Sequence, residues 1–375
     1  MAGTNNRNSV DDAVWKVGRT VRNSGLVVRS LAAFHRVGGT ILRYHSVCDD
    51  EWWPRHYMQR SLVVPPAIFD RQVRFLTERY TVVGIGDFAE RIAAGKRVDP
   101  RWVGITFDDG YEDNYRNAFP ILKRHGATAA FYVVTSTVGD EEVLWTVALR
   151  RAIKACLKPS VSLSFLGQRS VDISTEEKKE ATIKMITGIV KRCKLTEVRE
   201  ILAEVRDEIG IPEDLRQYRI MMNWDELREM HAAGMTIGAH TNSHYNMPSL
   251  NTSDVAQELV SARRAIEEEL QAPVPHFAYP NGRTDRHCDD RTAKLVAVSG
   301  FRSAVTSLSG PASHRSSAYC IPRLGVGPRH RSIARLAADI QYSRFRYQDP
   351  VVVDEITRVL PPGRVHAGGA NSNGS

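Results

Sequence analysis

Short apolar runs alternate with helical segments along most of this chain, and this alternation restricts the fold more than any other feature. The runs are Thr40–Tyr44, Thr81–Ile85, Trp102–Phe107, Thr128–Val134, Met235–Ala239, His276–Tyr279, Phe301–Val305 and Ala318–Ile321. Several are apolar throughout rather than at every second residue, as in strands that are buried on both faces of a parallel sheet. The alternation therefore predicts an α/β sheet or barrel.

The segments between the runs have the spacing and the end signals of helices. Apolar residues recur at helical spacing from Val255 to Leu270. Asn223 and Glu226 have the spacing of a capping box, and Gly234 suits the C-terminal cap of the helix that they begin. Residues 141–217 break the alternation with charged, helix-forming sequence and little strand signal. We expect a helical insertion there, which would act as a lid or a partner surface.

The predicted domain organisation has three parts: residues 1–39, a barrel over residues 40–346, and an extension over residues 347–375 that is disordered after about 361. Within the first part, residues 11–36 have the pattern of a basic amphipathic helix. The first interpretation is that this helix packs on the barrel with its arginines in water. The alternative is peripheral contact with an anionic membrane surface.

Composition and charge limit the classes of protein to which the chain can belong. The 375 residues are 42% hydrophobic, and Lys plus Arg exceed Asp plus Glu by 51 to 43, which favours anionic surfaces without defining any chemistry. Five cysteines without a CxxC pair argue against a disulfide framework and a structural zinc cluster. Neither a signal peptide nor a transmembrane helix is predicted. We expect a cytoplasmic protein, with peripheral binding at the inner membrane face as an extension of that expectation.

Ionisable residues follow two of the predicted strands. Asp108 and Asp109 come directly after the third run, and His240 and His244 come after the fifth. Taken alone, Asp-Asp-Gly is typical of an Asx turn, and a pair of histidines is more often structural. Together they indicate a metal centre, because the carboxyl ends of parallel strands meet at one edge and buried carboxylates need a compensating charge. One carboxylate and two imidazoles leave coordination positions open, as in a catalytic metal site.

These residues lie in motifs that resemble those of a known family. Thr106–Tyr111 and His240–His244 are similar to the first two motifs of the polysaccharide deacetylases, the NodB-homology family or carbohydrate esterase family 4. Leu42–Val47, Pro120–Leu122 with Ala130–Val133, and Phe277–Gly282 also resemble family segments. The resemblance extends from about residue 40 to 330, outside much of the insertion. It implies a distorted (β/α) barrel with fewer than eight strands and metal-dependent removal of acetyl groups from amino sugars.

The resemblance also implies roles for individual residues. Asp109, His240 and His244 would bind one divalent ion, with zinc expected and cobalt, manganese, iron or nickel compatible with the same donors. Asp108 would be the general base that takes a proton from metal-activated water. The backbone N–H of Asn281 would donate to the oxyanion.

The chain departs from the family pattern at two positions. Ala278 stands where the family often has an arginine that holds the base, and Arg323 is the candidate substitute, with an ordinary surface arginine as the alternative. No Leu-x-x-His motif is present near the C-terminus, so His45 is the candidate general acid, with a structural histidine as the alternative. The candidate substrate-binding residues are Tyr279, Asn281, Arg323, Trp145 and Trp224. The two tryptophans would form a sugar-stacking wall, unless they belong to the core.

The predicted function is removal of N-acetyl groups from the amino sugars of a poly- or oligosaccharide, in glycan or exopolysaccharide assembly or modification. An N-acetylated glycan is the expected partner, and no nucleic acid is expected. The first alternative is the same chemistry on a small amide or cyclic imide. The second is a non-catalytic protein that binds glycan or an anionic surface, but it leaves the carboxylates and imidazoles at neighbouring strand ends unexplained.

Overall fold

A computed structural model describes residues 38–49, 59–139, 143–167, 170–210, 219–281 and 288–343. The basic amphipathic pattern of residues 11–36 and the extension from residue 347 onward lie outside these ranges, so the predictions for both remain predictions. No helix within the described ranges is both long and apolar enough to cross a membrane.

The apolar runs of the sequence form one parallel sheet. The described residues contain ten strands: β1 Thr40–Tyr44, β2 Thr81–Val82, β3 Trp102–Phe107, β4 Ala130–Val133, β5 Ser160–Ser162, β6 Ser170–Asp172, β7 Thr236–Ala239, β8 His276–Ala278, β9 Ser303–Val305 and β10 Leu324–Gly325. Eight of them form a sheet in the order β10-β1-β3-β4-β7-β8-β9, with β2 paired to the start of β3. Each of these pairs is parallel, so all the strands carry their carboxyl ends to the same edge.

Helices follow most of the strands. They are α1 Pro66–Arg79, α2 Ile85–Ala93, α3 Phe119–Arg124, α4 Trp145–Ala155, α5 Glu176–Val190, α6 Leu195–Ile209, α7 Trp224–Ala232, α8 Thr252–Leu270, α9 Asp290–Val298 and α10 Ile333–Ser343. The predicted capping box is present at α7, where Glu226 N donates to Asn223 Oδ1 and Asn223 N donates to Glu226 Oε2. Gly234 follows that helix with a φ of +86°, a value that glycine adopts without strain.

Both faces of the sheet are buried, which is why its strands are apolar throughout. Successive residues of a strand point to opposite faces. Leu42, Phe131 and Phe277 belong to a hydrophobic cluster shared with the outer helices, whereas Ile41 and Ala278 belong to a second cluster shared with α2. The curled sheet and its surrounding helices confirm the predicted distorted (β/α) barrel with a helical insertion, but the expectation of fewer than eight strands is wrong, since eight of the described strands form the sheet.

A short late segment joins the two edges of the sheet. Ile321 pairs with Val305 of β9, and Leu324 in β10 pairs with Leu42 of β1. The predicted strand Ala318–Ile321 is wrong, since only its last residue makes a bridge. Ser317 turns the chain there instead, because its carbonyl accepts from Cys320 N and its hydroxyl from Tyr319 N.

The insertion lies between β4 and β7 and has a hydrophobic cluster of its own. It contains α4, the antiparallel hairpin β5–β6, α5 and α6. The hairpin was not predicted, because each of its strands has only three residues. Each strand contains a single apolar residue, Val161 in β5 and Val171 in β6. Buried residues of the three helices and of the hairpin, Ile153, Val161, Ile186 and Ile201 among them, form the cluster. The insertion is therefore a small packed unit rather than an extended loop.

Candidate active site

The first site loop follows β3 and presents two buried carboxylates. Asp108 and Asp109 are 3% and 6% exposed. Asp109 has a φ of +80° and Gly110 a φ of +86°. A Cβ at Gly110 would lie 3.2 Å from Cγ1 of Val133, so the chain turns tightly against β4 at this point. Asp tolerates the left-handed region better than most residues, which explains how Asp109 can occupy this turn.

The second site loop follows β7 and presents the two histidines from a turn, as the sequence predicted, rather than from a helix. His244 N donates to Thr241 Oγ1 over 2.9 Å, and both residues have positive φ. Among the described residues, five non-glycine residues have positive φ, and four of them lie in site loops: Asp109, Thr241, His244 and Asn281. Such conformations cost roughly 1–3 kcal/mol each and persist where the surrounding structure enforces them.

The two loops bring one carboxylate and two imidazoles together. Asp109 Oδ1 lies 3.5 Å from His240 Nε2 and 3.3 Å from His244 Nε2. One ligand atom from each residue lies within 4.8 Å of the others, and all three side chains are buried. Burial alone would raise the pKa of Asp109, but the two imidazoles outweigh it and hold this pKa well below its usual range.

The hydrogen-bond partner of His240 shows that this cluster suits a cation. His240 Nδ1 lies 2.7 Å from the carbonyl oxygen of Ala278, which can only accept, so Nδ1 carries the proton. With Nδ1 as the donor, Nε2 lies 3.5 Å from Asp109 Oδ1 and is free to act as a ligand atom. A carbonyl that fixes the tautomer is a common support for a metal-binding histidine. The donor set therefore fits a divalent ion such as zinc.

Asp108 has a different partner, Arg323. The guanidinium donates from Nη1 to Oδ1 and from Nη2 to Oδ2, both over 2.7 Å. Arg323 is fully buried and also donates from Nε to the Thr306 carbonyl over 2.8 Å. Burial would raise the pKa of Asp108, but the charge of Arg323 lowers it to about 2. Arg323 thus contacts the candidate base and not the surface that a substrate would reach.

His45 and Asn281 both line the cavity beside these groups. The buried Nδ1 of His45 and the buried Nδ2 of Asn281 have no hydrogen-bond partner among the described residues. Burial lowers the pKa of His45 to about 4, so its imidazole is neutral at pH 7. A substrate with polar groups would supply hydrogen-bond partners for these two atoms.

Three other predicted substrate-binding residues lie outside the cavity wall, so the predicted sugar-stacking wall is corrected. Tyr279 is fully buried, and its hydroxyl donates to the Tyr319 carbonyl over 3.0 Å. Trp145 is 7% exposed, packs in the cluster of the insertion and donates from Nε1 to the His244 carbonyl over 3.1 Å. Trp224 packs against the main core. Trp145 is a core residue because the insertion folds back onto the histidine loop.

The cavity at the carboxyl edge of the sheet has a volume of about 240 Å³. Besides the residues named above, it is lined by Arg43, Gln59, Leu62, Tyr111, Thr146, Val147, Arg150, Ile183, Thr187 and Lys191. Six of these come from the insertion, so the insertion forms part of the cavity wall. Arg43 stands in the Leu42–Val47 motif and could have been suspected from sequence. Arg150 and Lys191 could not, because only the fold of the insertion brings them here.

Fold and site together define a class: a (β/α)-barrel hydrolase with a carboxylate and two imidazoles at the carboxyl ends of its strands. The sequence profile described as polysaccharide deacetylase matches residues 95–158 and 166–302, and the chain belongs to that family. Members remove acetyl groups from polysaccharides, which makes the protein a hydrolase of carbon–nitrogen bonds other than peptide bonds.

Individual relatives agree with this assignment. YxkH of Bacillus subtilis strain 168, whose name places it among the polysaccharide deacetylases, is 21% identical over 289 residues, which are 77% of this chain and 71% of YxkH. The deacetylase PplD of Streptococcus pyogenes, solved with acetate, has 18% identity, a TM-score of 0.54 and coverage of 81% of this chain and 99% of its own. IcaB of Ammonifex degensii has 19% identity, a TM-score of 0.51 and coverage of 81% and 97%. At such identities the two structures support the fold.

Proposed function

We propose that the protein is a metal-dependent hydrolase that removes N-acetyl groups from the amino sugars of a poly- or oligosaccharide. One observation carries the proposal: a cation-binding arrangement of Asp109, His240 and His244 lies at the same cavity as Asp108, a carboxylate that Arg323 keeps ionised. Zinc is the expected ion, because imidazole nitrogens and a carboxylate oxygen with open positions are its usual catalytic ligands. We place the activity in glycan or exopolysaccharide assembly or modification.

Asp108 is the proposed general base. When bound, a divalent ion acidifies water and polarises a carbonyl oxygen. The attacking water gives its proton to Asp108 while its oxygen bonds to the acetyl carbon. The pKa of about 2 keeps Asp108 ready to accept over the whole neutral range, and its two hydrogen bonds to Arg323 fix its orientation.

Two cavity residues are proposed for the rest of the reaction. The backbone N–H of Asn281, a residue with a φ of +61°, donates to the oxyanion. His45 protonates the departing amine as the carbon–nitrogen bond breaks. Because its imidazole is neutral in the free protein, the negative charge that develops on the substrate has to raise its pKa first, so that it takes up a proton from solvent before it gives one to the amine. For residues 11–36, contact with an anionic membrane surface remains the alternative to packing on the barrel.

Acetate release tests the proposal. The substrates are N-acetylglucosamine oligomers, a small N-acetylated amide and a cyclic imide, each offered after chelation and after return of zinc, cobalt or manganese. We expect metal-dependent release from the oligomers, lost in Asp108→Asn and Asp109→Ala. The matched control is Asp339→Asn, since Asp339 also pairs with an arginine, Arg335, but lies outside the cavity wall.

The outcomes separate the candidate functions. Turnover of only the amide or the imide would show that the enzyme acts on small molecules and not on glycans. Absence of metal binding in the wild type would contradict the central premise of the proposal. Equal activity in the wild type and in Asp109→Ala would do the same.

A further inference from the structure

The cavity contains positive charge that the proposed reaction does not use. Three cationic side chains line it: Arg43, Arg150 and Lys191. Arg150 is paired, because its Nη1 lies 3.0 Å from Oε2 of Glu180. Within the described part of the chain, neither Arg43 nor Lys191 has a carboxylate oxygen within 4.0 Å.

The carboxylates of the cavity are in direct contact with other groups and not with these two cations. Both oxygens of Asp108 are held by Arg323. Asp109 faces His240 and His244, and a divalent ion bound there would add more positive charge than Asp109 offsets. With the ion bound, the cavity would therefore carry a net positive charge.

Lys191 is held in place by the histidine loop. Its carbonyl oxygen accepts from Asn246 Nδ2 and from Ser249 Oγ, each over 2.7 Å. Ile183, Thr187 and Lys191 are spaced four residues apart along α5 and its C-terminal cap, so they share one face, and all three line the cavity. The insertion thus presents a hydroxyl and an ammonium group to the site from a fixed backbone.

Arg43 is held in the barrel wall. Its carbonyl accepts from Val326 N over 2.9 Å, and its Nη1 donates to Ser307 Oγ. Its buried Nε has no partner among the described residues. Burial and repulsion from Arg323 lower its pKa to about 10, so the guanidinium stays charged at neutral pH. A buried N–H that lacks an acceptor is costly, and an anion in the cavity would supply one.

We infer that the cavity recognises an acidic group of the substrate. The preferred substrates are N-acetylated sugar units that carry, or directly adjoin, a carboxylate, sulfate or phosphate, which Lys191 and Arg43 bind by charge-assisted hydrogen bonds. This inference rests on the proposed function and names the substrate class of the same site. Lys191 is the residue that sets the preference, and it belongs to the insertion rather than to the barrel.

Matched pairs of oligosaccharides test the inference. One pair is a hyaluronan tetrasaccharide and its carboxyl-reduced form. The other is an N-acetylglucosamine tetramer with and without 6-O-sulfate, which separates sulfate from carboxylate. Dissociation constants are measured on zinc-loaded, full-length Asp108→Asn, which needs no turnover, and kcat/KM on the wild-type protein. Each is repeated with Lys191→Gln, Lys191→Arg and the control Lys184→Gln, an exposed lysine of the same helix.

We expect the acidic member of at least one pair to bind on the order of tenfold more tightly, the usual size of one charge-assisted contact. Lys191→Gln brings the ratio of acidic to neutral affinity close to one, whereas Lys191→Arg and Lys184→Gln retain it. Equal or undetectable binding of both members of each pair overturns the inference. So does an equal loss for both members in Lys191→Gln, because Lys191 would then contact a group common to all substrates.

The two proposals fail in different ways. Equal hydrolysis of acidic and neutral members leaves the deacetylase function intact and refutes the acidic preference. Lys191-dependent binding of the acidic members without any acetate release supports the acidic site and refutes the deacetylase function.

Discussion

Substitution of Arg323 would separate the ionisation of the proposed base, Asp108, from the binding of the proposed metal ion. Arg323 is fully buried and donates to both oxygens of Asp108, to Thr106 Oγ1 and to the Thr306 carbonyl. Arg323→Gln leaves a buried carboxylate without its counter-charge, which costs roughly 3–5 kcal/mol of stability while the carboxylate stays ionised. The cheaper response is a raised pKa for Asp108 and uptake of a proton.

Activity should fall accordingly. A general base contributes about 10²–10⁴-fold to a rate, and we expect a loss of this order in kcat/KM at pH 6. Because the wild-type pKa of about 2 lies far below the assay range, Asp108 should add no acid limb between pH 5 and 8. Arg323→Gln should gain such an acid limb, so that its activity relative to the wild type rises with pH. Arg323→Lys keeps the charge but loses the two-point contact, and its loss should be intermediate.

Zinc binding controls for misfolding, because Asp109, His240 and His244 are untouched. Asp108→Asn combined with Arg323→Gln should lose little beyond Asp108→Asn alone, since the two residues act as one unit. Arg323→Gln that binds zinc stoichiometrically and keeps the wild-type kcat/KM and pH profile would refute the reasoning.

Three further predictions concern stability. Zinc at about a hundred times its dissociation constant should add about 2.7 kcal/mol to the unfolding free energy of the wild type, and it should raise the Tm by a few degrees. An equal rise of the Tm in Asp109→Ala would contradict the proposed metal ligands. Gly238→Ala should cost about 1–3 kcal/mol in urea unfolding, because the new Cβ would lie 2.6 Å from the Tyr132 ring and 2.9 Å from the His276 carbonyl; an unchanged midpoint would show that β7 can shift. Burial lowers the pKa of His276 from 6.5 to about 4, so its stabilising neutral form is fully present above pH 6.5 and is lost as the pH falls toward 4. Over that interval the unfolding free energy should fall by on the order of 3 kcal/mol, and a slope that persists in His276→Asn would assign the effect to another group.

The strands and the centre of the site could be predicted from the sequence because both depend on local pattern. The bounds of β1 and β3 agree with the apolar runs residue for residue. Asp109 and His244 could be placed together because parallel strands deliver their carboxyl ends to one edge. The strand prediction at Ala318–Ile321 was wrong because the Ser317 side chain accepts a hydrogen bond from Tyr319 N and stabilises a turn there.

The cavity wall could not be predicted in the same way. Whether Trp145 faces a sugar or the core depends on how the insertion packs on the histidine loop, and no spacing in the sequence encodes that. The same holds for Lys191, which lies at the site through the packing of the insertion and whose carbonyl Asn246 and Ser249 bind. Cavity residues that the insertion contributes to the barrel can be identified from contacts in the structure but not from the periodicity of the sequence.

The late position of Arg323 gives the protein an order of events during its synthesis. The arginine is translated 215 residues after Asp108, and it sits in the segment that joins the two edges of the sheet. At about 5–20 residues per second, the ribosome needs roughly ten to forty seconds to cover that interval. Asp109, His240 and His244 all emerge before it does. A growing chain therefore carries all three candidate metal ligands before it carries the counter-charge of Asp108, which arrives with the segment that closes the sheet.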